Sequence, residues 1–219
     1  MCVTLITLVM ASSSAWSQGT ITFGTRTAKE TLPFGINALG AGFYTGQYQQ
    51  IYLGSAFNAP VTITGLAFSQ DVQGASVATY HLEIGLGTTT LSPSSPGSAF
   101  DPGFTTVFSG TLTPIFTTSN GDFDFYVSTT PYFYNPTNGN LLLNVTIFSA
   151  VGDNSAFALD SQNPTMGRIL TSGGSTTAYA NSGLVTEFTF IPEPSSLALC
   201  LCGGWLLTAC QLHRRVKKL

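Results

Sequence analysis

Short runs of alternating apolar and polar residues, separated by turn clusters, fill the middle of the chain. In TYHLEIGLG, Tyr80, Leu82, Ile84 and Leu86 share one parity while His81 and Glu83 take the other. A period of two is the mark of a strand with one face buried. GNLLLNVTIFS sets Leu141, Leu143, Val145 and Ile147 on one face, and NGDFDFYVS sets Phe123, Phe125 and Val127 against Asp122, Asp124 and Tyr126. LVTEFTFI closes the series with Leu184, Phe188 and Phe190 facing one way. VTITGLAFS changes parity part-way: Val61 and Ile63 give way to Leu66 and Phe68, and Gly65 between them predicts a bulge.

Gly-, Pro- and Asn-rich breakers lie between these runs, at SPSSPGS, DPG, SNGD, NPTNGN and TSGGS. No stretch carries a useful helical period, and no fixed-length repeat points to a propeller or a β-helix. Eight to ten short strands in one body predict an all-β fold, a two-sheet sandwich of jelly-roll-like type. The 219 residues suit one such domain.

Composition sharpens the class. Charged residues are 8% of the chain against 43% hydrophobic, which suits an exported β protein and opposes disorder. Four of the seven cations, Arg214, Arg215, Lys217 and Lys218, crowd the last six residues. The body is therefore acidic, with no basic patch for phosphates, and no nucleic-acid partner is expected. All four cysteines, Cys2, Cys200, Cys202 and Cys210, fall in the two apolar ends, so the body expects neither a disulfide nor a thiolate metal site.

Those ends carry the most specific signals. Residues 1–17 read as a signal peptide: an apolar run from Val3 to Ala11, then small residues through Ser17, although no Lys or Arg precedes the run. Cleavage is expected between Ser17 and Gln18, with cleavage after Ala15 as the alternative. At the other end, residues 195–212 are uncharged. Eighteen helical residues would span about 27 Å, close to a hydrocarbon core of about 30 Å. The basic tail 213–219 would then hold Arg214, Arg215, Lys217 and Lys218 on the cytoplasmic side and leave the body outside. Pro192-Glu193-Pro194 stands just before; two prolines around one acid predict an extended, accessible spacer.

Pro192-Glu193-Pro194, the greasy segment and the cationic end together resemble the PEP-CTERM sorting signal of bacterial exported proteins. The resemblance implies that Pro192, Glu193 and Pro194 are read by an exosortase-type processing enzyme at the inner membrane. It further implies removal of the hydrophobic segment and basic end, and delivery to the cell surface or extracellular matrix. Over about residues 45–150, YQQIYLGSAFNAPVTITGLAF, LEIGLGTTTLS, TVFSGTL and PYFYNPTNGNLLLNVTIF are similar, in order, to an ectodomain recurrent in PEP-CTERM proteins. That similarity supports a sandwich fold and brings no catalytic residue with it; between the two terminal signals the sandwich is expected over 18–191.

Candidate chemistry in the body is sparse. His81 is its one histidine, on an outward strand position and without a G-x-S-x-G elbow, so a surface role is expected. Asp122 and Asp124 would stand about 7 Å apart on one strand face, within the range of a glycosidase carboxylate pair. Asp122, Asp124, Asp153 and Asp160 are also the calcium candidates, although solvated acids are the commoner reading. No other cofactor is expected. Sugar stacking is the rival to a purely structural body, with Tyr44, Tyr48, Tyr126, Tyr132, Tyr134 and Tyr179 as platforms and an extracellular polysaccharide as partner. Both tryptophans, Trp16 and Trp205, lie in the terminal segments. The expectation is thus an exported, non-catalytic structural protein, with a carbohydrate- or calcium-binding module as the alternative.

Overall fold

Thirteen strands follow one another in the computed structural model, which describes residues 18–35, 42–71, 78–114, 123, 125–152, 156–172 and 174–193. They are β1 (Gly19–Phe23), β2 (Ala28–Glu30), β3 (Gly46–Tyr52), β4 (Val61–Phe68), β5 (Ala78–Thr89), β6 (Phe104–Leu112) and β7 (Phe125–Tyr134). Then come β8 (Asn140–Gly152), β9 (Phe157–Asp160), β10 (Met166–Ser172), β11 (Ser175–Tyr179), β12 (Gly183–Leu184) and β13 (Thr186–Pro192). No α-helix occurs among the described residues; short 3-10 turns precede β4 and β8. Thirteen exceeds the eight to ten expected because β2, β9 and β12, of three, four and two residues, are too short to display an alternation.

All strand pairs are antiparallel, in a four-stranded sheet ordered β1-β13-β4-β7 and a six-stranded sheet ordered β11-β10-β3-β8-β5-β6. A small third sheet, β12-β9-β2, completes the set. The two large sheets pack their apolar parities together in a sandwich-like arrangement. Val61, Ile63, Leu66 and Phe68 all bury, and the β4–β7 register slips between Ile63 and Gly65, where the parity change predicted a bulge. Tyr80, Leu82, Ile84 and Leu86 bury from β5, and Leu141, Leu143, Val145 and Ile147 from β8.

Aromatic rings fill the space between the sheets. Phe34 is fully buried, with Phe125, Phe68, Phe157 and Tyr80 at centroid distances of 4.5, 4.8, 5.0 and 5.8 Å. The Tyr80 hydroxyl donates to the Phe34 carbonyl at 2.6 Å, which satisfies a phenol that burial would otherwise strand. A second group joins Phe23 of β1 to Tyr52 of β3 and Phe188 of β13.

The outer face of the six-stranded sheet is covered where the turn clusters predicted open loops. The connection from β5 to β6 lies across it as a strap. Gly87 and Gly167 make room: a Cβ there would stand 2.1 Å from the Gly103 oxygen and 2.2 Å from the Pro93 oxygen. Gln49 fastens the strap as a backbone would, its Nε2 donating to the Asp101 carbonyl at 2.6 Å and its Oε1 accepting from the Asp101 N–H at 2.8 Å. Leu142 and Asn144, outward by parity, are therefore fully buried, and the sequon Asn144-Val145-Thr146 presents no accessible acceptor.

Candidate functional site

The place where the chain leaves the sandwich is the candidate site, because the expected recognition tripeptide begins there. Pro192 is the last residue of β13 and pairs with Val61; Ile191 pairs with Thr62. Glu193 continues the attachment: its N–H donates to the Pro60 carbonyl at 3.2 Å, and its Oε1 accepts from the Thr62 hydroxyl. The expectation of a free spacer from Pro192 onward is thus corrected by two residues. A proline ends a strand without loss because its missing N–H is needed only inside a ladder. Glu193 is then tied down by the start of β4. Ile191 and Pro192 remain exposed and Glu193 is half-buried.

The start of the first strand lies beside it. Gly19, the first residue of β1, pairs with Phe190 of β13. Gln18 and Glu193 therefore stand at the same end of the four-stranded sheet. Ser17, Pro194, the 195–212 segment and the cations Arg214, Arg215, Lys217 and Lys218 lie outside the described residues, and the described ones include no membrane-length apolar helix.

Of the acids, Asp122, Asp124 and Asp153 also lie outside the described residues. Asp160 is described, and its carboxylate is occupied. Oδ2 accepts from the Thr25 N–H at 2.9 Å and from Asn163 Nδ2 at 3.0 Å, and Oδ1 accepts from the Gln162 N–H at 3.2 Å. Burial pushes its pKa up, but these hydrogen bonds outweigh burial and hold it below the usual carboxylate value. A depressed folded pKa contributes stability that is present above the unfolded pKa and is lost as pH falls through the folded one. The melting-temperature gap between wild type and Asp160→Asn should therefore be widest near neutrality and close on acidification to about pH 2. A gap constant across that titration would contradict this role.

His81 is exposed on β5, its ring 5.2 Å from that of Phe148, with Glu83 two positions along. Among the described residues no three His, Cys, Asp or Glu side chains gather as a metal site. A small open cleft is lined by Leu112, Thr113, Pro114, Phe125 and Tyr126. None of its lining residues is charged.

The tyrosine platforms need correction. Tyr44, Tyr48 and Tyr134 are buried, with hydroxyls donating to the Gln47 carbonyl at 2.6 Å, to Gln50 Oε1 and to the Gly139 carbonyl at 2.7 Å. Burial raises the pKa of all three phenols, so they remain protonated hydrogen-bond donors. Tyr48 and Tyr134 take inward positions on β3 and β7, and Tyr44 packs inward from the segment before β3. Among the described residues, the large exposed aromatic side chains are Tyr126, Tyr179, Phe133 and Phe148. Phe148 is outward by the parity of Leu141 to Ile147 and is the unpaired residue at the register shift opposite His81 and Leu82 in the β5–β8 pair.

One buried polar cluster escaped the sequence reading. Arg168 on β10 is 4% exposed, donates to Glu30 Oε2 at 2.7 Å and lies 4.6 Å from the centre of the Tyr179 ring. Beside it, Gln50 exchanges bonds with Leu184: Oε1 accepts from the N–H at 2.8 Å and Nε2 donates to the carbonyl at 2.9 Å. The signal was available in MGRIL, where Arg168 shares parity with Met166 and Leu170. Arg26 similarly pairs with the buried Asp71 at 2.5 Å. Two of the three body cations thus brace internal acids.

No protein-family model matches the chain, and no curated protein matches it.

Proposed function

We propose that this chain is an exported cell-surface or extracellular-matrix protein whose sandwich is structural and non-catalytic. Its C-terminal PEP-CTERM-type signal would be read by an exosortase-like enzyme at the inner membrane. The observation that carries the reading is the ordered composite of Pro192-Glu193-Pro194, an uncharged segment at 195–212 and four terminal cations. The geometry at the exit supports it. The last described strand ends at Pro192 and Glu193 is tied to the start of β4, so removal of everything beyond Glu193 costs none of the described strands. Both ends of the body also emerge side by side, which suits a domain first led out by a signal peptide and then held by a C-terminal membrane segment.

The finer fold reading is a jelly-roll-like winding. Successive strands alternate between the sheets, from β3 to β4 to β5 and from β6 to β7 to β8. The competing function, a carbohydrate- or calcium-binding surface module, draws support from the exposed rings of Tyr126 and Tyr179. A glycan array and a melt with and without Ca²⁺ separate the two, since any saturable ligand would replace the structural role. The sorting scheme itself is tested by the intact mass of the protein recovered from its own cells.

A further inference from the structure

We propose that the exit end of the sandwich seats directly on the bilayer through Phe133 and Ile191, an inference that rests on the membrane-segment reading above. Ile191, Thr62 and Phe133 are register partners across β13, β4 and β7, so they form one row on the outer face of the four-stranded sheet. The two apolar members are 37% and 58% exposed, an unusual outlay at the end of an otherwise Thr-rich face. Strands are spaced by about 4.8 Å, so the row sets the two side chains about 10 Å apart.

The occupant follows from where the chain goes. Glu193 is anchored by Thr62 and Pro60, and the uncharged segment begins two residues later at Ser195. Two residues reach at most about 7 Å. A membrane segment starting at Ser195 therefore cannot hold the sandwich away from the lipid. It draws this end, with its exposed row, into the interface. The start of β1 is held at the same end by the Gly19–Phe190 pair.

The attraction is apolar rather than electrostatic. Of the described cations, Arg168 is buried against Glu30 and Arg26 is paired with Asp71. Arg26 and Lys29 follow the far end of β1, where Phe23 pairs with Thr186. Zwitterionic lipid should therefore suffice, and a side chain seated in the interface should reach about 5–10 Å into the headgroup and acyl boundary.

The test uses the full chain with Trp16→Phe and Trp205→Phe, reconstituted into dibrominated phosphatidylcholine vesicles. A single reporter tryptophan is introduced as Phe133→Trp, as Ile191→Trp, or as Tyr126→Trp. Tyr126 is exposed on the same sheet face but pairs with Ala67, about 17 Å farther along β4 from Thr62. Bromolipid should quench the Phe133 and Ile191 reporters roughly twofold or more beyond the Tyr126 reporter, because only their row reaches the lipid. Equal quenching at all three positions, in protein that floats with the vesicles, would overturn the seat and leave the membrane tether standing. Protein that fails to float removes the tether, and the seat falls with it.

Discussion

Phe34→Ala should destabilise the mature protein by about 3–5 kcal/mol, the range for deleting a fully buried phenylalanine ring. Phe34 lies outside the large sheets, in the segment after β2, yet its ring meets Phe68 and Phe125 of the four-stranded sheet and Tyr80 of the six-stranded one. It also touches Phe157 of the small sheet. One side chain thus joins three sheets, and no neighbour on a regular strand can collapse into the space without leaving its own register. The Tyr80 hydroxyl bonds the backbone carbonyl of Phe34, so the substitution removes the ring while keeping that acceptor. Denaturant unfolding measures the effect. A loss below about 1 kcal/mol would mean that the site collapses freely and that the sheets do not depend on this plug.

The second large effect concerns Arg168. Glu30→Gln should cost about 3 kcal/mol or more, because it leaves a guanidinium in the interior without its counter-charge. Arg168→Met should cost less. Without the arginine, Glu30 keeps two backbone donors on Oε1, the N–H groups of Thr31 at 2.9 Å and Leu32 at 3.2 Å. Its side chain is also 19% exposed, against 5% for that of Arg168, so water can solvate the carboxylate. A methionine would then fill the apolar surroundings beside Leu170 and Met166. The order of the two costs, read from urea unfolding at neutral pH, is the discriminating result. An Arg168→Met variant less stable than Glu30→Gln would show that the Tyr179 contact and packing outweigh the ion pair.

These positions also show what alternation along a chain reports. Where one sheet face meets solvent, as along Tyr80 to Ile84, parity alone places the inward residues correctly. The Gly65 bulge was legible because the parity change and the glycine coincide. Alternation fails where both faces are covered. Leu142, Asn144, Ile51 and Ile169 lie beneath or beside the strap on the outer side and are buried with their inward neighbours. The strap is rich in Ser, Pro and Gly residues, whose turn chemistry predicts a loop but does not say that the loop lies on a sheet. Arg168 was missed because charge suggests the surface, while its position in the strand places it inside and a distant acid, Glu30, makes that tolerable.

At the candidate site, sequence located the tripeptide but not its attachment. Nothing in the spelling of Pro192-Glu193-Pro194 announces that Thr62, 131 residues away, donates to Glu193. That contact depends on β13 inserting between β1 and β4, a topological fact. The adjacency of Gln18 and Glu193 has the same origin. It brings the start of β1 and the start of the proposed recognition tripeptide to one end of the four-stranded sheet, which is why the exit end, rather than any cleft, carries the functional proposal.

The most direct test of that reading is intact mass spectrometry of the mature protein purified from its native cells. The account predicts an N-terminus near Gln18 and loss of everything after about Pro194, leaving the sandwich with Glu193 still bound to β4. A mature chain that retains its full C-terminus through Leu219 would contradict it and make the protein a permanently anchored one.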